Sequence, residues 1–215
     1  MTIKAILFDM DGVLIEAKEW HYEALNKALS LFGITISKQD HLERFDGLPT
    51  RKKLEILSVE RGLSHELHAF INTKKQEYTI EMINTYCKPY STHEFALMSL
   101  KAQGYRLALC SNSMRNTVEL MMQKSSLKQY LDIMISNEDV FYSKPHPEMY
   151  LKAMSYFELQ PQECLIVEDN ENGIKAAKAS GGHLLIVKNI EETNLDNILG
   201  RIKEIMLETH QGVQA

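Results

Sequence analysis

Short apolar segments alternate with helical patterns along most of this chain, and that alternation restricts its fold more than any other feature. Five segments predict strands, at residues 3–8, 106–110, 133–135, 164–167 and 184–187. The helical patterns between the later segments predict helices on both faces of a sheet. Strands that alternate with helices pair in parallel, so the sequence predicts an α/β fold with a doubly wound parallel sheet.

A long helical insertion separates the first predicted strand from the second. Residues 17–88 carry apolar side chains at helical spacing, beginning with Trp20 and Leu25, and show no convincing strand pattern. The insertion is much longer than a simple crossover between parallel strands requires. We therefore expect two domains, with residues 1–16 and 89–215 forming the core and residues 17–88 forming a separate helical domain.

Composition and charge point to a small-molecule partner. The chain has 215 residues, of which 44% are apolar and 25% are charged, and its net charge is −5. Such a chain has no general attraction for nucleic acid or anionic membranes. It lacks a signal-peptide pattern and an apolar run that could span a bilayer. Its three cysteines fit neither a metal ribbon nor a disulfide framework, so we expect a cytoplasmic, reducing environment.

Polar side chains follow the first two predicted strands. Asp9 and Asp11 come after the first strand, and Ser111, Asn112 and Ser113 come after the second. The carboxyl ends of parallel strands form the ligand-binding edge of such a sheet. Paired carboxylates need a cation, and magnesium suits them; hydroxyl, amide and backbone N–H groups suit phosphate oxygens. Each group alone is also typical of a simple turn or a helix cap.

The third and fourth predicted strands add a lysine and a second acidic pair. Lys144 lies in a Ser-Lys-Pro-His-Pro segment, and Glu168 and Asp169 end the fourth strand. A lysine is a compact charge that can neutralise a phosphoryl group, and the acids can complete a metal shell. A solvated lysine and an acidic helix start are the alternatives.

These four groups, in this order, resemble the motifs of the haloacid dehalogenase-like hydrolase superfamily. Residues 9–13 (Asp-Met-Asp-Gly-Val) are similar to its first motif, Ser111 to its second, Lys144 to its third and residues 168–169 to its fourth. The insertion resembles the cap of the subgroup that contains β-phosphoglucomutase and many sugar-phosphate phosphatases. The resemblance implies a Rossmann-like core with an inserted all-helical cap domain.

The resemblance also implies a reaction. Asp9 would attack phosphorus to form an aspartyl-phosphate, and Asp11 would act first as an acid and then as a base. Ser111 and Lys144 would hold the phosphoryl oxygens. The implied activity is magnesium-dependent hydrolysis of a phosphomonoester on a small metabolite, a sugar phosphate.

The implied cofactor is Mg²⁺. Asp9, Asp169 and the backbone carbonyl of Asp11 would bind it, and Glu168 would bind it either directly or through water.

Cap residues and the second motif would choose the substrate. His21 aligns with a mutase histidine near the acid–base aspartate, and Arg51 would hold an anionic part of the substrate. The candidate substrate contacts are His21, Gly47, Arg51, Lys75 (or Lys74), Asn112, Ser113 and Arg115. Ala17 lies where the mutase has threonine, so we favour a hydrolase over a phosphosugar mutase.

Three alternatives remain at this point. One is the mutase, another is a regulatory phospho-acceptor domain, and the third is a binding protein that has lost catalysis. The large insertion after the first strand argues against the phospho-acceptor domain. Because the cap would cover its own active site, we expect a monomer.

Overall fold

The computed structural model describes residues 2–211 and contains one five-stranded sheet. All pairings are parallel, and the spatial order of the strands is β3-β2-β1-β4-β5. The strands are β1 (Ala5–Phe8), β2 (Arg106–Cys110), β3 (Ile133–Ile135), β4 (Cys164–Glu168) and β5 (His183–Ile186). The sheet places the first strand of the chain at its centre, between β2 and β4.

Helices surround the sheet and fill the long insertion. The helices are α1 (Lys18–Ser30), α2 (Lys38–Asp40), α3 (Thr50–Arg61), α4 (His68–Tyr86), α5 (Ser91–Ala102), α6 (Arg115–Lys124), α7 (Glu148–Tyr156), α8 (Glu171–Ser180) and α9 (Leu195–Gln211). A π-helical turn, His41–Phe45, follows α2. Short 3₁₀ turns occupy His65–Leu67, Lys128–Tyr130, Asn137–Asp139, Pro161–Glu163 and Ile190–Glu192.

The central strand is buried on both faces because helices cover both sides of the sheet. Ile6 and Phe8 pack into one apolar cluster with α5, α6 and α9, and Leu7 packs into another with α7 and α8. Successive side chains of a strand point to opposite faces, so one short strand feeds both cores. This arrangement confirms the predicted doubly wound α/β class.

The helices of the insertion have an apolar cluster of their own. Leu25, Phe45, Leu57 and Ile71 are among its buried members, and α1 and α4 are its most extensively paired helices. The insertion also packs on the core, since α4 contacts α6. The all-helical cap is confirmed, whereas the division at residues 16–17 and 88–89 stays a prediction.

The predicted elements differ from the observed ones mainly at their ends. Helix α8 begins at Glu171, three residues before the start that apolar spacing predicts, at Ile174. The side chain of Asn170 explains the extra turn, because it accepts a hydrogen bond from the backbone N–H of Asn172 and caps the helix. No helix within residues 2–211 is long and apolar enough to cross a membrane.

The cap core should depend on its large apolar residues. Leu57 is fully buried in the cap cluster, whereas Val59, on the same helix, is 86% exposed. We expect Leu57→Ala to lower the free energy of unfolding by about 2–5 kcal/mol, because it leaves a cavity. Val59→Ala should change it by less than about 0.5 kcal/mol. Urea unfolding of the two variants checks both values, and equal losses would contradict the described packing.

Candidate functional site

The carboxyl end of the sheet borders the main cavity of the structure. Asp9 follows β1, Glu168 ends β4, and Lys144 lies in the loop between β3 and α7. These three side chains line a cavity of about 1050 Å³ between the sheet and the cap helices. That volume is typical of small-molecule sites. Ser111, at the end of β2, is buried beside them.

Lys144 connects two of the acidic groups. Its Nζ donates to Asp9 Oδ1 and to Glu168 Oε1, and both distances are 2.6 Å. The Tyr150 hydroxyl also donates to Glu168 Oε1, and the Lys144 ammonium lies 4.8 Å from the centre of the Tyr150 ring. A buried charge is tolerated only when it is paired and hydrogen-bonded, and Lys144 meets that condition.

The protonation states of this pair reflect burial as well as charge. Burial raises the pKa of Asp9 well above its ordinary value, against the opposing effect of the Lys144 ammonium. Burial acts to lower the pKa of Lys144, but the Asp9 and Glu168 carboxylates outweigh it and raise that pKa. Lys144 is therefore a permanent cation, and the raised pKa of Asp9 means that a further cation would be needed to keep all the crowded carboxylates ionised.

The acidic residues fit a divalent metal. Asp9, Glu168 and Asp169 each offer a carboxylate oxygen, and these oxygens lie within 4.8 Å of one another. Within the described part of the chain, Asp169 Oδ1 is buried without a hydrogen-bond partner. Burial raises the pKa of Asp169 to about 6. An all-oxygen set with an unsatisfied carboxylate suits magnesium.

A lysine on the first cap helix already pairs with one of these carboxylates. Lys18, at the start of α1, has its Nζ 2.5 Å from Asp169 Oδ2 and 3.9 Å from Asp46 Oδ2. Its side chain passes close to Gly12, where an added Cβ would lie 2.6 Å from Lys18 Cε. The sequence prediction missed Lys18, because a lysine at a helix start carries no mark of such a contact.

Asp11 belongs to a separate network that joins the core to the cap. His21 Nε2 lies 3.2 Å from Asp11 Oδ1, and the Ser113 hydroxyl donates to Asp11 Oδ2 at 3.1 Å. Lys75 Nζ lies 3.1 Å from His21 Nδ1. Ser113 in turn donates its backbone N–H to the Ser111 hydroxyl. Five of the predicted site residues thus form one chain of contacts, with Asp11 at its centre.

The charges in this network favour an ionised Asp11 beside a neutral His21. Burial opposes the charge on Asp11, but His21, Ser113 and Lys75 together lower its pKa. Burial and the Lys75 charge lower the pKa of His21. Burial also lowers the pKa of Lys75 to about 7, and the neighbouring Lys53 adds to that effect.

Hydrogen bonds hold the cap loop against the core. Asn112 Nδ2 donates to the carbonyls of Gly47 at 2.8 Å and Lys144 at 3.2 Å, and Asn170 Nδ2 donates to Asp46 Oδ2 at 2.8 Å. Gly47 has a φ of 70°, and a Cβ there would lie 2.3 Å from Asn170 Oδ1. The loop can approach the core this closely because residue 47 is glycine.

Two of the predicted substrate contacts have other partners. Arg51 lines the cavity, but its side chain is 89% exposed and pairs with Glu55 at 3.1 Å. Arg115 donates to the Met134 carbonyl and pairs with Asp139 beside β3. Their roles in binding substrate stay predictions.

Sequence patterns did not reveal three other residues of this region. Lys53 and His41 are buried and line the cavity, and Tyr150 is buried against Glu168. Lys53 follows Arg51 and Lys52, and such a charged run normally marks a solvated helix face. One signal was present: Lys53 lies four residues before the buried Leu57, on the inward side of α3.

Comparisons with known proteins agree with this geometry. Residues 6–187 match the family model described as haloacid dehalogenase-like hydrolase. A phosphorylated carbohydrates phosphatase of Thermotoga maritima is 27% identical over 182 residues, which cover 83% of this chain and 82% of that protein. Pyrophosphatase PpaX of Bacillus mycoides is 28% identical over 190 residues, covering 84% and 81% of the two chains.

A solved structure shows the same fold. The β-phosphoglucomutase of Clostridium difficile superposes with a TM-score of 0.83, at 22% identity, over 96% of this chain and 100% of that chain. Similarity at that identity establishes the architecture, including the helical cap over the sheet, and leaves the activity to other arguments.

The close contact between α8 and the acidic cluster gives a test of the site's packing. A Cβ on Gly173 would lie 1.8 Å from Glu168 Oε1, and the bonds to Lys144 and Tyr150 hold that carboxylate in place. We expect Gly173→Ala to lower the free energy of unfolding by about 1–3 kcal/mol through overpacking. Urea unfolding without added metal measures this change in the free energy of unfolding.

Gly200 offers a matched control for this substitution. It lies in α9 with no atom within 4 Å of an added Cβ. Gly200→Ala should stabilise the protein by about 0.5–1 kcal/mol, because alanine is the better helix former. If Gly173→Ala is also stabilising, the described position of Glu168 is wrong.

Proposed function

The chain belongs to the haloacid dehalogenase-like hydrolase family, and from that membership we propose that it is a magnesium-dependent phosphatase. It would hydrolyse a phosphomonoester of a small metabolite, a sugar phosphate, through a phosphoryl group carried on Asp9. The observation that carries this proposal is the buried Asp9, which faces the cavity and is held by Lys144 at 2.6 Å.

Asp9 has the surroundings that a carboxylate nucleophile needs. Its Oδ1 accepts from Lys144, while no donor in the described part of the chain bonds to Oδ2. The bonded oxygen fixes the carboxylate, and the other oxygen is available to attack phosphorus. A carboxylate and a phosphate dianion repel each other, so nearby cations must offset that charge. The Lys144 ammonium supplies one such cation.

Asp11 is placed to act as the acid and base. When Lys75 is protonated it can only donate to His21 Nδ1, which places the proton of a neutral His21 on Nε2, facing Asp11. Asp11 then accepts two hydrogen bonds, from His21 and Ser113, and is held as a carboxylate. This state suits the second half of the reaction, in which Asp11 removes a proton from the attacking water.

Asp9 and Asp169 are the proposed carboxylate ligands of Mg²⁺, together with the backbone carbonyl of Asp11. The bound ion would supply the positive charge that stabilises the transferring phosphoryl oxygens. Glu168 is the less suitable direct ligand, since Oε1 already accepts from Lys144 and Tyr150 and Oε2 accepts from the Asp169 N–H. We therefore propose that Glu168 contacts the ion through water.

A phosphosugar mutase is the second candidate. The contact between His21 and Asp11 favours it, because a cap histidine at the acid–base aspartate is the feature that resembles β-phosphoglucomutase. Arg115 opposes it, since its guanidinium pairs with Asp139 and is not free to bind a second phosphate.

Three further properties complete the proposed function and stay predictions. They are a small phosphorylated substrate, a monomeric state and a cytoplasmic location.

The decisive variants are Asp9→Asn and Asp11→Asn. With a panel of sugar phosphates and Mg²⁺, we expect phosphate release by the natural enzyme and none above background from Asp9→Asn, which lacks the nucleophile. Asp11→Asn should lose roughly 10²–10⁴-fold in kcat, the usual contribution of acid–base catalysis. Melting temperatures control for folding, and turnover by Asp9→Asn near the natural rate would overturn the proposal.

A coupled assay separates the phosphatase from the mutase. The substrate is β-glucose 1-phosphate, and the corresponding bisphosphate serves as the primer. We expect free phosphate to be the main product. Glucose 6-phosphate formed faster than free phosphate would establish the mutase instead.

A further inference from the structure

A buried lysine in the cap faces the cavity with no ionic partner. Lys53, on α3, is only 7% exposed and lines the cavity. Its ammonium makes no hydrogen bond or ion pair with any residue of the 2–211 segment that the structure describes. Long charged side chains are almost never buried unless they are paired, so this lysine needs an explanation.

The packing of α3 places Lys53 inside. Leu54 and Leu57 on the same helix are buried in the cap core, and Lys53 shares the inward side with Leu57. Burial lowers the pKa of Lys53 to about 8, and Asp46 and Asp11 only partly oppose that effect. Neither acid bonds to Lys53 directly: Asp46 Oδ2 accepts from Asn170, and both oxygens of Asp11 are hydrogen-bonded to other residues.

A second unsatisfied group lines the same cavity. His41 is 2% exposed, and its Nδ1 has no hydrogen-bond partner in the described part of the chain. Burial lowers the pKa of His41 to about 4, and the charge of Lys53 contributes to that shift. His41 is therefore a neutral imidazole close to Lys53, and one tautomer offers an N–H at Nδ1. An ammonium and an N–H together suit an oxyanion.

Most other cations that line the cavity have direct partners; Lys52 has none among the described residues, but it is exposed to solvent. Lys75 bonds to His21, and Arg51 lies at the surface with Glu55. The core cation Lys144 is shared between Asp9 and Glu168. Among the described residues, Lys53 is thus the buried cavity-lining lysine that has no direct hydrogen-bond or ion-pair partner, and it comes from the domain opposite the nucleophile.

We propose that Lys53 and His41 form a cap subsite for a second anionic group of the substrate, remote from the phosphoryl group that Asp9 receives. This inference rests on the proposed phosphatase function and narrows its substrate. The substrate would be a phosphorylated compound that also carries a carboxylate or a second phosphate. A neutral sugar ring would leave the buried Lys53 ammonium without a direct ionic partner.

Three phosphonates that differ only at the far end test the subsite. Propylphosphonate ends in a methyl group, 3-phosphonopropionate in a carboxylate, and ethylene diphosphonate in a second phosphonate. Calorimetry with Mg²⁺ measures their dissociation constants without any turnover. We expect the natural enzyme to bind at least one anionic ligand roughly tenfold to a hundredfold more tightly than propylphosphonate, the factor for a hydrogen bond to a charged group. The ligand that is favoured identifies carboxylate or phosphate.

Lys53→Met should remove most of this preference and leave the affinity for propylphosphonate within a few-fold. Methionine suits the buried position. If Lys53→Met does not fold, Lys53→Gln replaces it in the same measurement. Lys52→Met is the matched control, since it removes one charge from the neighbouring residue, which also borders the cavity but is exposed to solvent. It should keep the preference.

Three results would overturn the subsite. In the first, the natural enzyme binds the anionic ligands no more tightly than propylphosphonate. In the second, the preference for an anionic ligand survives the loss of Lys53. In the third, Arg51→Met removes that preference instead. Turnover of p-nitrophenyl phosphate is measured in parallel. Turnover without a binding preference defeats only the subsite, whereas a binding preference without turnover of any phosphomonoester defeats only the phosphatase.

Discussion

The site depends on one buried lysine between two carboxylates. Lys144 bonds to Asp9 and Glu168 at equal distances, and these three residues come from loops or strand ends that are far apart in the sequence. Removing one member of such a group leaves an uncompensated buried charge, which is strongly destabilising. The arrangement still contains more carboxylates than cations, since Asp169 lies beside it. This excess of carboxylates is unfavourable in a buried cluster. It also makes the cluster suitable for a divalent ion and a phosphoryl group.

In the proposed reaction the core and the cap have different tasks. Core residues would hold the phosphoryl group, while His21 reaches Asp11 from α1 and is itself bonded to Lys75 on α4. The contact between Asn112 and Gly47 closes the cap loop over the cavity. Asp11, the proposed acid–base residue, therefore has hydrogen-bond partners from both the core and the cap. Water exclusion would then depend on the same contacts that position the substrate.

The sequence predicted the fold, and the structure brings the predicted core residues of the site together, because both follow from local patterns. Apolar runs marked the strands, and polar residues at their ends marked Asp9, Lys144 and Asp169. The cap was harder to predict, since its function depends on which charged side chains are buried. Arg51 carried the expected charge but lies at the surface, while Lys53 lies inside. Helix packing decides that difference, and a run of three basic residues does not reveal it.

Phosphopeptide mapping of the Asp11→Asn variant tests the central claim most directly. p-Nitrophenyl phosphate has a good leaving group, so the first transfer proceeds without the acid, while the slowed hydrolysis lets the intermediate accumulate. The account predicts a burst of p-nitrophenol matched by a hydroxylamine-labile phosphoryl group on Asp9. A burst with no covalent label, or a label on another residue, would contradict it.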